Sequence, residues 1–495
     1  MITGSGAGAA TDSLRPPWVE VAAVTALAAV LRLGTLGLQS YEFDEAATLH
    51  VIRGSFTDML QGVARHESTP PLYYVLAWIW TQAFGTGEAG LRLLSAIAGV
   101  ATVPVVYVVG RILASRRIGL VAAAIVATSP YLVFYSQEAR SYALFALLST
   151  AGVLCCVRAI QYPAARTLGL WVGVTIAAIA THYFAIFPWI GQAVALAVFG
   201  APRRLLAWSI APVALASVPL VVLARHQADG RADWIGTSSL LERMRVTAET
   251  FALGATFRGT LPDAILVVCG LLSIVMVSAI VTAGILLIRR ATADERRAAG
   301  IAGLIAAVAL GLPLVGALGG RDYFVHKNVI PVLPVLAVVL AAGLGSRRAG
   351  RAGLAGAAVL VVAGIALTLM SFAAPSMRRP DVRQVSHQLG PPLRERVLVF
   401  VPRWRLLLES YQGPLEDLPP TGRRVSEVDV FTAGESIPEG TVPQGFRLQR
   451  VQHGNTFTLF RFQSPVPLAV TPDSLGRRTF SESGLQPIAV VQARR

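Results

Sequence analysis

Two adjacent carboxylates, Asp44 and Glu45, lie just after the first long apolar run of the chain, in the stretch YEFDEAATLH. A carboxylate within hydrogen-bond reach can accept the proton of an attacking hydroxyl group, so the pair is a candidate general base. Charged groups where a membrane-spanning helix ends are usually kept for function. The same pair is also typical of an ordinary helix start, because aspartate caps backbone N–H groups and the helix dipole favours acidic residues. The pattern alone supports both interpretations.

Lys327 is the one lysine in a chain that otherwise uses arginine. It lies in the stretch RDYFVHKN beside His326, and Arg321 and Tyr323 precede it. A compact ammonium group suits a phosphate, so this stretch is a candidate for binding a phosphorylated substrate. The alternative is that Lys327 anchors the start of a spanning helix at the membrane interface.

The remaining candidates for substrate binding are polar and aromatic residues from three other stretches: His66, Gln137, Glu138, Arg140, Tyr142, His182 and Tyr183. The group around Glu138 could equally be a capped helix start with a local Glu–Arg pair. Glu67, next to His66, is interpreted as a solvated loop residue. A metal site built from His66, His182 and the carboxylates is conceivable, but no metal-ligand spacing in the sequence supports it. No metal ligand is therefore predicted.

The composition identifies the kind of protein that must position these residues. Of 495 residues, 54% are hydrophobic and 14% are charged, which is too apolar for one soluble core. Runs of about twenty apolar residues indicate membrane spans. They predict eleven: 18–38, 90–113, 118–135, 141–160, 167–181, 183–199, 205–224, 262–288, 299–318, 328–346 and 353–372.

The arginines in short loops give the predicted topology. Nearly every arginine pair faces the cytoplasm if residues 70–84 form a re-entrant or surface helix and the run 167–199 turns at Thr181, His182 and Tyr183. The candidate residues then lie at the opposite face. The net charge of +15 therefore follows membrane topology and does not indicate a nucleic-acid partner. We expect a multi-pass cell-membrane protein whose catalytic face is extracytoplasmic.

The sequence predicts three regions. Residues 1–17 form a flexible cytoplasmic N-terminus, and residues 18–374 form a transmembrane domain with an external loop at 39–89. Residues 375–495 change to mixed polar composition and predict a small extracytoplasmic α/β domain with a disordered tail. Within it we expect a helix over 378–390, a buried strand over 397–401, and a hairpin that turns at His453, Gly454 and Asn455.

Six motifs, in this order and spacing, resemble the GT-C fold membrane glycosyltransferases, particularly bacterial relatives of protein mannosyltransferases and of lipid A aminoarabinose transferase (glycosyltransferase family 39-like). The resemblance covers roughly residues 18–346. The motifs are YEFDEAATLH, HESTPPLYY from His66, FGTGEAGLRLLSAIAG from Phe84, YSQEARSYAL from Tyr135, THYFA from Thr181 and KNVIPVLPVLAVVLAAGL from Lys327. The expected fold is a polytopic α-helical membrane protein of GT-C type with about eleven spans and a small C-terminal α/β domain.

The resemblance implies that the protein transfers a sugar, mannose or a pentose, from a polyprenyl-phosphate carrier to a hydroxyl of a glycan, lipid or protein. It assigns the general base to Asp44, with Glu45 beside it, and direct displacement with one base would invert the anomeric centre. Cations would stabilise the leaving phosphate, a role open to Arg140, Arg321 and Lys327. Many relatives carry an Arg-Tyr pair where this chain has Lys327 and Asn328, so the phosphate-binding cation stays open.

Further alternatives follow from the same residues. A transporter or flippase of lipid-linked glycans is the main rival, although no internal repeat is evident and the polar residues cluster at one face. A scaffold that binds lipid-linked glycans without activity is a third possibility. No cofactor is predicted, and a divalent metal remains an alternative. Three cysteines, Cys155, Cys156 and Cys269, lie in apolar runs with a spacing that fits neither a disulfide framework nor a zinc site.

Overall fold

The structure, a computed structural model, describes residues 17–200, 202–227, 235, 237–254, 262–320, 322–391, 394–432, 437, 441–454, 457–475 and 488–492. The chain forms two compact units. The helical unit runs to Leu36 and continues from Ser55 to Met370, and the C-terminal unit combines Gly37–Gly54 with the chain from Ser371 onwards. The sequence assigns residues 39–54 to the transmembrane domain, whereas the structure groups them with the C-terminal unit because their contacts are made there.

Sixteen helices occupy the described chain up to Ala373, and apolar runs account for most of them. They are α1 Pro17–Leu33, α2 Phe43–Ile52, α3 Phe56–His66, α4 Leu72–Phe84, α5 Glu88–Leu113, α6 Arg116–Thr128, α7 Pro130–Ser136, α8 Tyr142–Gln161, α9 Ala165–Thr181, α10 Ile186–Phe199, α11 Arg203–His226, α12 Leu240–Leu253, α13 Asp263–Arg289, α14 Ala293–Leu318, α15 Val332–Leu344 and α16 Gly350–Ala373. Helix α2 belongs to the C-terminal unit.

Every predicted span overlaps at least one helix, but the number of spans is not confirmed. Among the described residues, six helices are long and apolar enough to cross a membrane, namely α5, α8, α11, α13, α14 and α16. The count becomes seven if α6 and α7 form one bent span, and α9, α10 and α15 are shorter apolar helices. The described part of the chain is thus helical with several helices long and apolar enough to span a membrane, and eleven spans remain a prediction.

The predicted span 118–135 is wrong in one respect, because it is two helices. Helix α6 ends at Thr128 and α7 begins at Pro130, with a bend of 60° between them. Proline disfavours a helical conformation in the residue before it, and it has no N–H to donate. The hydroxyl of Ser129 instead caps α7 by accepting from the N–H of Leu132 at 3.4 Å. Helix α7 ends at Ser136, directly before the predicted substrate-binding residues of the QEAR stretch.

The predicted turn within 167–199 is present. Helix α9 ends at Thr181, and a short 3-10 turn over Tyr183–Ala185 leads into α10. The imidazole of His182 caps this turn by accepting from the N–H of Phe184 at 3.4 Å. Helix α4, at 72–84, is likewise separate from the long helices, as the sequence predicts.

The C-terminal unit contains a six-stranded mixed sheet and two further helices. These elements are α17 Val382–Leu389, β1 Arg396–Phe400, α18 Trp404–Gln412, β2 Glu416–Asp417, β3 Arg423–Thr432, β4 Arg447–His453, β5 Thr458–Val470 and β6 Ile488–Gln492. The strand order is β2-β6-β1-β3-β5-β4; β1 and β3 are parallel and the other pairs are antiparallel. The expected helix, buried strand and hairpin correspond to α17, β1 and the β4–β5 pair, although Asn455 of the predicted turn lies outside the described residues.

Part of the tail that the sequence predicts to be disordered is an inner strand of this sheet. Strand β6 pairs with β1, and Val491 lies opposite Val397. The stretch IAVVQ contains β-branched residues that fit a half-buried sheet surface, and Val490 and Val491 are buried. The prediction of disorder is therefore wrong for Ile488–Gln492, and the tail residues 476–487 and 493–495 lie outside the described residues.

Candidate functional site

The two predicted catalytic carboxylates have different environments in the C-terminal unit. Asp44 and Glu45 lie in the first turn of α2, which is closed by a capping box. Glu45 accepts from the N–H of Glu42 at 2.9 Å and from Nη1 of Arg379 at 2.8 Å, and its side chain is fully buried. Asp44 is half-buried, and its N–H donates to the carboxylate of Glu42 at 2.6 Å. Glu45 is therefore engaged in structure, and Asp44 is the more exposed of the two.

The segment that carries Asp44 is fixed within the C-terminal unit. The hydroxyl of Ser40 donates to the carbonyl of Pro380 at 2.7 Å, and the N–H of Tyr41 donates to the hydroxyl of Tyr411 at 2.8 Å. The rings of these two tyrosines lie 5.4 Å apart. Sequence reasoning missed Arg379 and Tyr411, because no local motif links them to a stretch more than three hundred residues earlier.

Arg140, a predicted substrate-binding residue of the helical unit, is paired with a residue that the sequence analysis interpreted as solvated. Its Nη1 donates to both carboxylate oxygens of Glu67, at 2.9 and 3.0 Å, and to the hydroxyl of Tyr74 at 2.9 Å. The side chains of Arg140 and Glu67 are 8% and 4% exposed. The neighbouring His66 is exposed, and its predicted role in substrate binding stays a prediction. His66 is the last residue of α3, and it is exposed because only the next residue, Glu67, turns inward.

Five rings from three parts of the helical unit form what we call the aromatic cluster: Tyr131, Tyr135, Tyr142, His182 and His326. Tyr131 donates to the carbonyl of His326, 195 positions away, at 2.8 Å. Nδ1 of His326 lies 3.3 Å from the hydroxyl of Tyr135 and 3.4 Å from that of Tyr131. Sequence reasoning missed Tyr131 and Tyr135, although their spacing of four places both on one face of α7.

Lys327 lies against this cluster. Its ammonium is 5.5 Å from the centroid of the Tyr142 ring, a cation–π contact, and the residue is half-buried. The structure therefore brings together four of the predicted substrate-binding residues, namely Tyr142, His182, His326 and Lys327.

His182 and Tyr183 have defined partners. His182 is buried and stacks on Phe145 with ring centroids 4.4 Å apart. Burial lowers the pKa of His182 to about 3, so the imidazole stays neutral and serves as an apolar and accepting surface. The hydroxyl of Tyr183 donates to the side chain of Gln227 at 2.8 Å.

The stretch before Lys327 is held by an arginine that the sequence analysis did not single out. Arg243 of α12 forms a bidentate pair with Asp322 and donates to the carbonyl of Phe324 at 3.0 Å. The hydrogen bonds that Arg243 donates to the carboxylate hold the pKa of Asp322 below its ordinary value. Tyr323 is 42% exposed, and the predicted phosphate ligand Arg321 lies outside the described residues.

Gln137 and Glu138, also predicted to bind substrate, are both buried in the helical unit. The amide nitrogen of Gln137 donates to the carbonyl of Arg32 at 2.9 Å and to the hydroxyl of Thr35 at 2.6 Å. Gln137 thus satisfies backbone groups at the end of α1, a structural use that its sequence context did not reveal. Its predicted contact with substrate stays a prediction.

The comparisons with known proteins bear on this arrangement. The sequence model of the family described as dolichyl-phosphate-mannose-protein mannosyltransferase matches residues 68–226. A comparison with curated proteins finds no match. Among solved structures, ArnT from Cupriavidus metallidurans in the apo state is similar at a TM-score of 0.57 and 14% identity, over 90% of this chain and 97% of ArnT.

Two further structures are similar. ArnT from Cupriavidus metallidurans bound to undecaprenyl phosphate has a TM-score of 0.52 at 14% identity, over 90% of this chain and 98% of that one. The apo oligosaccharyltransferase of Archaeoglobus fulgidus has a TM-score of 0.49 at 14% identity, over 81% of this chain and 64% of its own.

The likeness to ArnT extends over nearly the whole of both chains and therefore establishes the fold. The family match covers the stretch that contains α4 to α11, including the QEAR turn and most of the aromatic cluster. Neither comparison favours the rival class of transporter or flippase. The chain therefore has the GT-C type of fold that its motifs predicted, and its residues 68–226 match the mannosyltransferase family model.

Proposed function

We propose that the protein transfers a sugar, mannose or a pentose, from a polyprenyl-phosphate carrier to a hydroxyl of a glycan, lipid or protein on the extracytoplasmic side of the membrane. The observation that carries the proposal is the position of Lys327 against the aromatic cluster, at 5.5 Å from the Tyr142 ring. The undecaprenyl phosphate bound by the structurally similar ArnT supports the class of carrier. The matching family model supports a sugar of the mannose class.

Lys327 is the residue to which we assign the phosphate of the carrier. A leaving phosphate develops negative charge that a preorganised cation stabilises in a partly dry site. Of the other two predicted cations, Arg140 is neutralised by Glu67, whereas Arg321 lies outside the described residues and stays a candidate. The Tyr142 ring orients the ammonium of Lys327 without opposing its charge.

Asp44 is the residue to which we assign the proton transfer. In the reaction, the acceptor oxygen bonds to the anomeric carbon while the bond from that carbon to the phosphate oxygen breaks. The proton of the hydroxyl passes to the carboxylate of Asp44, and polyprenyl phosphate leaves as the anion. A single displacement of this kind inverts the anomeric centre. Glu45 is less suited to the role, because its carboxylate is buried against Arg379.

The proposal is tested with membranes that contain the protein and a panel of radiolabelled polyprenyl-phosphate sugars, including mannose and pentose donors. We expect label to pass to an acceptor with one donor, and Lys327→Gln to reduce this transfer at least tenfold. Label that stays on the carrier with every donor would overturn the proposal. Label that stays on the carrier but crosses the bilayer would instead establish the flippase alternative.

Two finer parts of the proposal have their own measurements. Sidedness is tested in sealed right-side-out vesicles. A donor that is added outside and cannot cross the membrane should be consumed if the catalytic face is extracytoplasmic. The reaction as written uses no cofactor, so we expect transfer to survive EDTA. Loss of transfer that Mg²⁺ or Mn²⁺ restores would add a metal to the mechanism.

A further inference from the structure

Glu67 and Arg140 form a buried ion pair whose place in the reaction the sequence does not predict. Arg140 donates from a single nitrogen, Nη1, to Glu67 Oε1 at 2.9 Å, to Glu67 Oε2 at 3.0 Å and to the hydroxyl of Tyr74 at 2.9 Å. The Tyr74 hydroxyl lies 3.1 Å from that of Thr69. Glu67, Thr69 and Tyr74 all come from the short segment that joins α3 to the first turn of α4.

The backbone of Arg140 is held as well as its side chain. Its carbonyl accepts from the hydroxyl of Ser95 on α5 at 3.2 Å, and that hydroxyl lies 3.1 Å from the hydroxyl of Tyr73. Gln227 ties the same segment from a further side by donating to the carbonyls of Val63 and Thr69, at 2.8 and 3.3 Å. The orientation of Arg140 is therefore fixed at both ends of the residue.

Arg140 lies where a change in its orientation would reach the proposed phosphate site. It belongs to the turn between α7 and α8, and Tyr142, two residues later, begins α8. Lys327 lies over the Tyr142 ring, and Tyr135 packs against the same ring with centroids 5.1 Å apart. The Glu67 carboxylate thus acts on the turn that leads into Tyr142, the ring of the aromatic cluster on which Lys327 lies.

The burial of the pair determines what Glu67 contributes. A guanidinium that is 8% exposed would be an uncompensated buried charge without a carboxylate partner, which is far more costly than a solvated one. We propose that Glu67 is a positioning residue for the transfer reaction: it neutralises Arg140 and fixes it beside Tyr74, so that the turn leading to Tyr142 keeps the geometry that Lys327 and the carrier phosphate require. This inference rests on the proposed function.

A positioning role predicts a specific kinetic pattern, because misplacement of reacting groups affects the chemical step more than ground-state binding. In the full-length protein in nanodiscs, Glu67→Gln should lower kcat with the active polyprenyl-phosphate donor by roughly 10- to 100-fold, with less than about a threefold change in the KM of that donor. Glu67→Asp, which keeps the charge, should recover kcat to within about fivefold of the wild type.

A charge swap separates positioning from simple structural pairing. The double variant Glu67→Arg with Arg140→Glu retains an ion pair, so it should regain the thermal stability that Arg140→Glu alone loses. It should not regain kcat, because a carboxylate at position 140 cannot donate to the Tyr74 hydroxyl, so the turn is no longer held as in the wild type. Recovery of both stability and kcat would show that only the pairing matters and would overturn the inference.

Two further variants keep the test decisive. Tyr74→Phe removes one contact of Arg140 without changing charge, so it should lower kcat by a few fold in a folded protein even where Glu67→Gln does not fold. Glu249→Gln, in the exposed pair with Arg245 on α12, is the matched control and should leave both constants unchanged. Wild-type kcat in Glu67→Gln would overturn the inference, and unchanged kcat in Tyr74→Phe would overturn it if Glu67→Gln does not fold.

The two proposals fail in different ways. If the wild type transfers no sugar from any lipid-linked donor, the proposed function fails and the inference falls with it. If the wild type transfers sugar and Glu67→Gln keeps its kcat, the function stands and the positioning role alone is overturned.

Discussion

The chain contains two Asp-Glu pairs at the start of a helix, one on α2 and one on α14, and their local structures are closely matched. In each, the aspartate is the second and the glutamate the third residue of the helix, and the glutamate closes a capping box with the residue before the helix. Both glutamates, Glu45 and Glu295, are buried. The aspartates differ, because Asp44 is half-buried and Asp294 is exposed.

The glutamates also differ in their second partner. Glu45 accepts from the guanidinium of Arg379 at 2.8 Å, whereas Glu295 accepts from the backbone N–H of Arg347 at 3.0 Å. A pair of adjacent acids after an N-cap is therefore first of all a helix start, for which the dipole and the cap give sufficient reason. A catalytic role for one of the two pairs must therefore come from the residues around it, so the pair on α14 is a natural control for the pair on α2.

The largest expected contrast is in activity. Asp44→Asn removes the proposed proton acceptor and should reduce sugar transfer by roughly 100- to 10,000-fold, the usual contribution of a general base. Asp294→Asn makes the same chemical change at the matched position and should leave transfer within about twofold. Both are measured with radiolabelled donor in membranes of equal protein content, and full activity in Asp44→Asn would remove Asp44 from the mechanism.

The comparison also shows how far the sequence predicts the fold. Apolar runs of sufficient length predict each long helix, and the break at His182 was predicted from the placement of the arginine pairs, since one helix over 167–199 would put the later pairs on the other side. The break at Ser129 was missed, although a Ser-Pro pair is a helix-start signal, because the apolar run continues through it. Strand β6 was missed because a five-residue strand at the chain end acquires its partners only from β1, far away in sequence.

The site was predicted unevenly for the same reason. Residue chemistry identified Lys327, Tyr142 and His326, since rare polar types at the end of an apolar run stand out in the sequence. It interpreted Glu67 as solvated, whereas in the structure Glu67 is buried and the neighbouring His66 is exposed. Which of two adjacent polar residues points inward depends on where α3 ends. The partners Arg379 and Arg243 are contacts between distant segments, and one sequence contains no signal for such contacts.

The second contrast is in local stability at the two buried glutamates. Glu45→Gln leaves Arg379, whose side chain is 7% exposed, without its carboxylate, and should destabilise α2 by about 3 kcal/mol. Glu295→Gln keeps an oxygen that can accept from backbone N–H groups, so the cost should be only about 1 kcal/mol. Hydrogen exchange of the amides in the first turns of α2 and α14 measures both, and equal protection losses would contradict the assigned difference in partners.

A smaller contrast comes from the partners themselves. Arg379→Gln removes the cation from Glu45 and should destabilise α2 by about 2 kcal/mol, since the carboxylate keeps the N–H of Glu42 and the helix dipole. Arg347→Gln leaves the backbone N–H that Glu295 uses, so protection at α14 should be unchanged. The same exchange experiment measures both variants, and a loss of protection in Arg347→Gln would show that its side chain contributes after all.

The smallest contrast is at the N-caps. Thr292 is a preferred capping residue whose hydroxyl accepts from the N–H of Glu295 at 3.3 Å, so Thr292→Ala should cost about 1 kcal/mol. Glu42 is an unusual cap, and it places a third carboxylate beside Asp44 and Glu45. Glu42→Ala loses its hydrogen bond to the N–H of Asp44 but relieves like-charge repulsion, so the net change should stay within about 0.5 kcal/mol. A larger loss of first-turn protection in Glu42→Ala than in Thr292→Ala would contradict this expectation. It would mean that a cation already offsets the repulsion among the three acids. Among the described contacts, Arg379 is the one cation paired with Glu45, so Arg379 would then have the larger role in holding Asp44 in place.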